Sequence, residues 1–251
     1  MNAEHLSQTW RTTLAFAALL VVAHPATAVT IEDWSSGTDA AWTRVDLLEL
    51  YGLGGTSYTV SGGQYHMTSN YPLPPVPYLL GSASVFSESL LDPDAYGNGY
   101  LTTRFTIHNA NSCVFVPMRA DVAQMDFISF FAENASDSIG MTVFDNFEYV
   151  NGASASFTIE EEVEYYLTAG AVGTELSIKV WPVGSPEPAS PQVTLIDTTY
   201  TSGQIGLGAY NREGMGGTMA ASFGEVSFIP EPAGLLTLLA ALGLLAARRR
   251  K

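Results

Sequence analysis

The chain has 251 residues, of which 25 are acidic and 10 basic, for a formal net charge of −15. A field of that sign repels phosphate polymers, so nucleic-acid binding is set aside. Cys113 is the only cysteine, so no intramolecular disulfide can staple the fold and stability has to come from packing.

The first elements mark an exported protein. After Arg11, ten apolar residues run from Leu14 to Ala23 without a charge, too few for the roughly 20 that a membrane-spanning helix needs. His24-Pro25 breaks that run, and Ala26 and Ala28 supply the small-x-small pattern that signal peptidase accepts. We expect residues 1–28 to form a signal peptide, its apolar part helical, cleaved after Ala28. Between residues 29 and 230 there are 23 acidic residues and five basic ones (Arg44, Arg104, Arg119, Lys179 and Arg212), a net charge of −18 for the exported part. Such a charge attracts divalent cations, although acidity also serves solubility alone.

From residue 29 to 229 the pattern is one of short runs rich in Val, Ile, Thr, Phe and Tyr, separated by Gly, Asn, Asp and Pro. Strands are predicted at 64–68, 100–107, 113–119, 127–132, 140–144, 154–159, 164–171, 175–181, 193–196, 203–210 and 222–228. The clearest is Tyr100 to Ile107, with Leu101, Phe105 and Ile107 on one face and Thr102, Arg104 and Thr106 on the other. Eleven or more strands require two packed sheets, because one open sheet would leave an apolar face uncovered. The expected fold class is therefore all-β, one two-sheet antiparallel sandwich over residues 29–229. Tyr71 to Tyr78 holds four prolines and cannot sit inside a ladder, so it reads as an exposed extended loop or edge. Pro182 to Pro191 reads as a connector.

Few residues in this domain carry chemistry. Glu160, Glu162 and Glu164 would share a face on a strand, but acids so closely packed fit a solvated edge or turn before Tyr165. His66 and His108 are the only histidines of the domain, lie in no Gly-x-Ser-x-Gly or His-Glu-x-x-His context, and read as structural or surface residues. Cys113, in an apolar run, reads as a buried inert thiol. No catalytic residues are assigned, and the chain is expected not to be an enzyme. Asp92 and Asp94, in a glycine-containing loop that ends at Gly99, are candidate calcium ligands because calcium takes six to eight oxygens.

The chain ends on Pro230-Glu231-Pro232, fifteen uncharged residues from Ala233 to Ala247, and Arg248-Arg249-Arg250-Lys251. As a helix the uncharged run is about 22 Å long at ~1.5 Å per residue, short of the ~30 Å hydrocarbon core. The terminal cations hold that end in the cytoplasm and leave residues 29–229 across the membrane. This order over residues 230–251 resembles the PEP-CTERM sorting signal of Gram-negative bacteria that make extracellular polysaccharide. The resemblance implies recognition and removal of the tail by an exosortase, with only transient tethering to the inner membrane. Pro230, Glu231, Pro232, Arg248, Arg249 and Arg250 would carry the signal. The destination would be the cell surface or extracellular matrix.

Within the domain, Glu32-Asp33-Trp34-Ser35-Ser36-Gly37, Trp42-Thr43, Gly62-Gly63-Gln64-Tyr65, the pair Tyr165-Tyr166-Leu167 and Glu175 to Trp181, and the closing Gly203 to Leu207 and Phe223 to Phe228 resemble the concanavalin A-like, laminin G-like jelly-roll superfamily. That resemblance implies a jelly roll, and a structural calcium between the start and end of the domain that would involve Asp33 and Glu225. The resulting expectation is a non-catalytic surface or matrix protein associating with extracellular polysaccharide, as in a biofilm. A divergent polysaccharide hydrolase or lyase, and a purely structural or adhesive protein, stay open as alternatives.

Overall fold

The computed structural model describes residues 27–46, 55–71, 81–86, 96–211 and 217–231. The predicted signal and tail helices, Ala26, Pro232, Arg248, Arg249, Arg250, the loop acids Asp92 and Asp94, and the proline stretch after Tyr71 lie outside the described residues. Among the described residues no helix is long and apolar enough to cross a membrane.

Two antiparallel sheets face each other. The first runs β13 (Val193–Ile196), β12 (Glu175–Pro182), β11 (Glu164–Val172), β6 (Gly99–Ile107), β15 (Gly217–Pro230), β4 (Gln64–Tyr71), β3 (Ser57–Ser61), with β1 (Val29–Glu32) also paired to β15. The second runs β10 (Glu148–Ser156), β9 (Ser138–Asp145), β8 (Asp126–Glu133), β7 (Ser112–Asp121), β14 (Gly206–Asn211), β5 (Gly81–Phe86), β2 (Trp42–Asp46). The all-β, two-sheet jelly-roll sandwich is the observed architecture.

Period-2 alternation explains how each strand feeds the core. Leu101, Phe105 and Ile107 of β6 are wholly buried, as are Met219 and Phe223 of β15. Across the interface they meet the buried row Val116, Met118, Phe130 and Leu207 of the second sheet. Full burial of a side chain of this size contributes about 1.5–3 kcal/mol. Cys113 is buried and donates to the carbonyl of Val114.

One cation lies deep in this apolar setting. Arg119 is 1 % exposed. Its guanidinium donates to the carbonyl oxygens of Gly97 (2.8 Å), Tyr200 (2.7 Å) and Gly173 (2.9 Å) and to Asn98 Oδ1 (3.0 Å). Four oxygens thus replace the hydration that burial removes. Asn98 Oδ1 also takes the amide of Gly173, and its carbonyl takes the amide of Glu231. Asn98 therefore joins the buried cation, the β11–β12 turn and the end of the last strand.

Candidate functional site

The outer face of the seven-stranded sheet is apolar where most outer faces are polar. On β7 the core takes Val114, Val116 and Met118, which turns Phe115 and Pro117 outward. On β8 Ile128 and Phe130 point in, so Phe127, Ser129 and Phe131 point out; on β14 Leu207 and Ala209 point in and Gly206, Gly208 and Tyr210 point out. Register places Gly208 beside Phe115, Phe115 beside Phe131, and Phe131 beside Gly140. Each ring leans onto a glycine. A β-carbon on Gly140 would lie 2.9 Å from the Phe131 ring and one on Gly206 2.9 Å from Pro117 Cγ, while one on Gly208 would clash with the Phe115 ring.

The rings of Phe115, Pro117, Phe127, Phe144, Phe147 and Tyr210 line a groove of about 700 Å³, open solvent at its mouth included. Tyr210 and Phe115 are 5.8 Å apart between ring centres, Phe115 and Phe127 6.4 Å, Phe127 and Phe144 4.9 Å, and Phe144 and Phe147 5.9 Å. The side chains of Asp126, Ser129 and Tyr210 bring the polar atoms of the described lining. One oxygen of Asp126 is already engaged by the amide of Asn146, at 2.7 Å.

Phe147 is held in place at a cost. Asn146 and Phe147, with φ of 49° and 64°, make the turn between β9 and β10. Two successive positive φ values are those of the hairpin turn that favours Asn-Gly, and a phenylalanine at the second position carries backbone strain of about 1–2 kcal/mol. Its ring enters the groove, and its amide donates to the carbonyl of Met125 at 3.1 Å.

The outer face of the other sheet carries a second cluster. Ser222 Oγ lies 3.0 Å from His108 Nε2, and His108 Nδ1 lies 2.9 Å from Glu162 Oε2. Serine, histidine and acid in that order form the relay of acyl-transfer enzymes. Here Ser222 has no exposed surface, and its strand is paired on both sides, to His66 and to Thr106. An oxyanion hole needs amides that are not already in a ladder. The relay also ties the turn before β11 to the sheet, reinforced by the amide of Glu162 on the carbonyl of Ile107. Glu162 has φ +59°, so the run 160–164 is no continuous strand; Glu164 faces Arg104 at 3.2 Å.

Of the calcium candidates, Asp33 Oδ1 accepts the amide of Ser35 at 2.9 Å, hydrogen bonds that hold its carboxyl below the ordinary value, and Glu225 Oε1 accepts the hydroxyl of Thr30 at 3.0 Å. Glu32 is spent on the amides of Asp33 and Trp34. Among the described residues no three His, Cys, Asp or Glu side chains come together as metal ligands. Asp33 and Glu225 thus each already hold a hydrogen-bond partner within the chain, and a calcium there would draw its remaining oxygens from carbonyls, amides or water. The described tryptophans are packed rather than presented: Trp34, Trp42 and Trp181 are 2, 6 and 8 % exposed, and Trp34 stacks on Tyr65 at 4.7 Å and donates to the carbonyl of Gly224.

The groove was not among the sequence candidates. Its signal is the alternation Gly206-x-Gly208-x-Tyr210 beside Phe115-x-Pro117, small residues facing bulky ones on the side away from the core.

The fold defines the class as a two-sheet, antiparallel jelly-roll β-sandwich. No protein-family model matches the chain, and no curated protein does. Among solved structures, it is similar to the carbohydrate-binding module CBM66 from Bacillus subtilis, with TM-score 0.52 and 18% identity over 74% of this chain and 93% of that one. It is similar to the exoplasmic/lumenal domain of VIP36 in its Ca2+/Man3GlcNAc-bound form, with TM-score 0.52 and 8% identity over 81% and 88% of the two chains. It is also similar to the apo Crh5 transglycosylase, with TM-score 0.53 and 10% identity over 84% and 87%. At these identities the likeness is one of fold.

Proposed function

We propose that this chain is an exported, non-catalytic β-sandwich that associates with extracellular polysaccharide through the aromatic groove of its seven-stranded sheet, after its tail has been recognised by an exosortase. The observation that carries the reading is the strip of rings from Tyr210 through Phe115 and Phe127 to Phe144 and Phe147, laid across the outer face of the seven-stranded sheet. Aromatic faces stack on the C–H faces of sugars and exclude water from them. The likeness to a carbohydrate-binding module supports the same reading.

The test is retention of the full chain on the producing organism's own extracellular polysaccharide, for the natural sequence and for Phe147→Gly. Glycine relieves the strained turn, so the melting temperature should change by only a few degrees. Retention should fall several-fold. Equal retention of both proteins would remove the groove from the account.

A hydrolytic reading has one specific observation in its favour, the Ser222–His108–Glu162 relay. It predicts new sugar ends or released acyl groups on incubation with that polymer, abolished by Ser222→Ala. The binding reading predicts neither product from the natural protein.

A further inference from the structure

The described lining of the groove is unusual for a sugar site in how few hydrogen-bonding side chains it offers. Its described walls are phenylalanine, proline, valine, alanine and methionine side chains, and of its three polar side chains Asp126 already spends an oxygen on Asn146 while Ser129 is only 5 % exposed. A sugar that buried free hydroxyls against such walls would give up their hydrogen bonds to water and regain few. A sugar whose hydroxyls are capped by small acyl groups loses far less, and its methyl groups gain apolar contact.

Charge narrows the ligand further. The one charged side chain in the described lining is Asp126, an acid, and the exported domain around it carries 23 acidic residues against five basic ones. Buried against apolar walls beside a carboxylate, a uronate, sulfate or phosphate group would meet repulsion at low local dielectric, where salt screens it least.

Resting on the proposed polysaccharide reading, we infer that the groove selects neutral polysaccharide bearing O-acetyl groups, with the acetyl methyls seated among Phe115, Phe127 and Phe144. Stacking alone tolerates any sugar; the scarcity of hydrogen-bond partners and the acidic field supply the discrimination. Specificity here is as much rejection as attraction.

The experiment measures the affinity of the full chain for three soluble polymers: O-acetylated glucomannan, the same glucomannan after mild alkaline deacetylation, and polygalacturonate. The expected result is at least tenfold tighter binding of the acetylated polymer than of its deacetylated form, and no binding of polygalacturonate. Phe127→Ala should remove most of the difference between the first two, and Phe147→Gly, which leaves the core untouched, should reduce it if the alanine variant folds poorly. Equal or tighter binding of the deacetylated polymer, or retention of polygalacturonate, overturns the inference while leaving polysaccharide association standing. Binding of neither glucomannan form overturns it too, and retention on the organism's own polymer then decides the broader reading separately. An acetyl preference that both groove variants keep would place the site elsewhere and sink the assignment to this face.

Discussion

The ring of Phe115 on β7 lies across the backbone of Gly208 on β14 and fills the space that a β-carbon at residue 208 would need. The two positions are paired in register, so the ring has nowhere to retreat along the ladder. Gly208→Ala should therefore push the Phe115 ring out of the floor of the groove. Overpacking of this kind costs about 1–3 kcal/mol, read as a lower midpoint in urea, and the same variant should lose polysaccharide retention by more than its loss of stability explains. A crystal structure of the variant with the ring unmoved would contradict this account.

Much of the sandwich was legible because β6 and β11 alternate over most of their length and turn residues bound the runs beside them. Tyr100 to Ile107 and the two strands flanking Gly173 were expected within a residue or so of β6, β11 and β12. β3 and β5 were not expected, since Ser57–Ser61 and Gly81–Phe86 are short runs interrupted by serine, glycine or alanine, whose pairing is decided by neighbouring strands. β15 is also longer than the predicted 222–228, because Gly217 to Ala221 has little bulk to mark it as strand. A strand expected at 154–159 ends at Ser156, and β10 begins at Glu148 instead. The groove escaped for a different reason: β7 is buried on both faces, so its run from Cys113 to Ala120 shows no period to say which side chains leave the core.

Arg119 gives a second prediction. Replacing it with leucine keeps the volume but leaves the carbonyls of Gly97, Tyr200 and Gly173 and the amide oxygen of Asn98 without their shared donor. Buried acceptors stranded in this way cost about 1–3 kcal/mol each and are not additive, so a total loss of at least ~3 kcal/mol is expected. For a domain of this size that lowers the melting temperature by roughly 6–12 °C. Lysine, with one compact ammonium, should recover only part of it.

Acid and alkali should each weaken the fold through identifiable groups. Burial pushes the Asp39 carboxyl up, and hydrogen bonds from Arg44 and Tyr65 outweigh it and hold it below the ordinary 3.8; Asp197 is likewise pushed up by burial and pulled below 3.8 by Asn151, Thr199 and the charge of Arg119. Depressed carboxyls contribute stability above the unfolded value of 3.8 and lose it as the pH falls through their folded values. Tyr200 shifts the other way, from 10.0 to about 12, through burial first and then the charges of Asp126 and Asp145. Its contribution is intact below pH 10 and is lost as the pH rises toward 12. Urea unfolding across pH should show both limbs, with Asp39→Asn and Asp197→Asn flattening the acid one and Tyr200→Phe the alkaline one. Limbs unchanged in all three variants would assign the titration to other groups.

β15 also decides how the molecule meets a pull. Its fourteen residues are hydrogen-bonded to β4 and β1 on one side and β6 on the other, and its end is fastened by the amide of Glu231 to Asn98. Tension applied to the chain beyond Glu231 runs along the strand, so many rungs share the load in shear and none can be unzipped singly. A sandwich towed by that end through a viscous medium would resist stretching along the direction in which its longest strand lies.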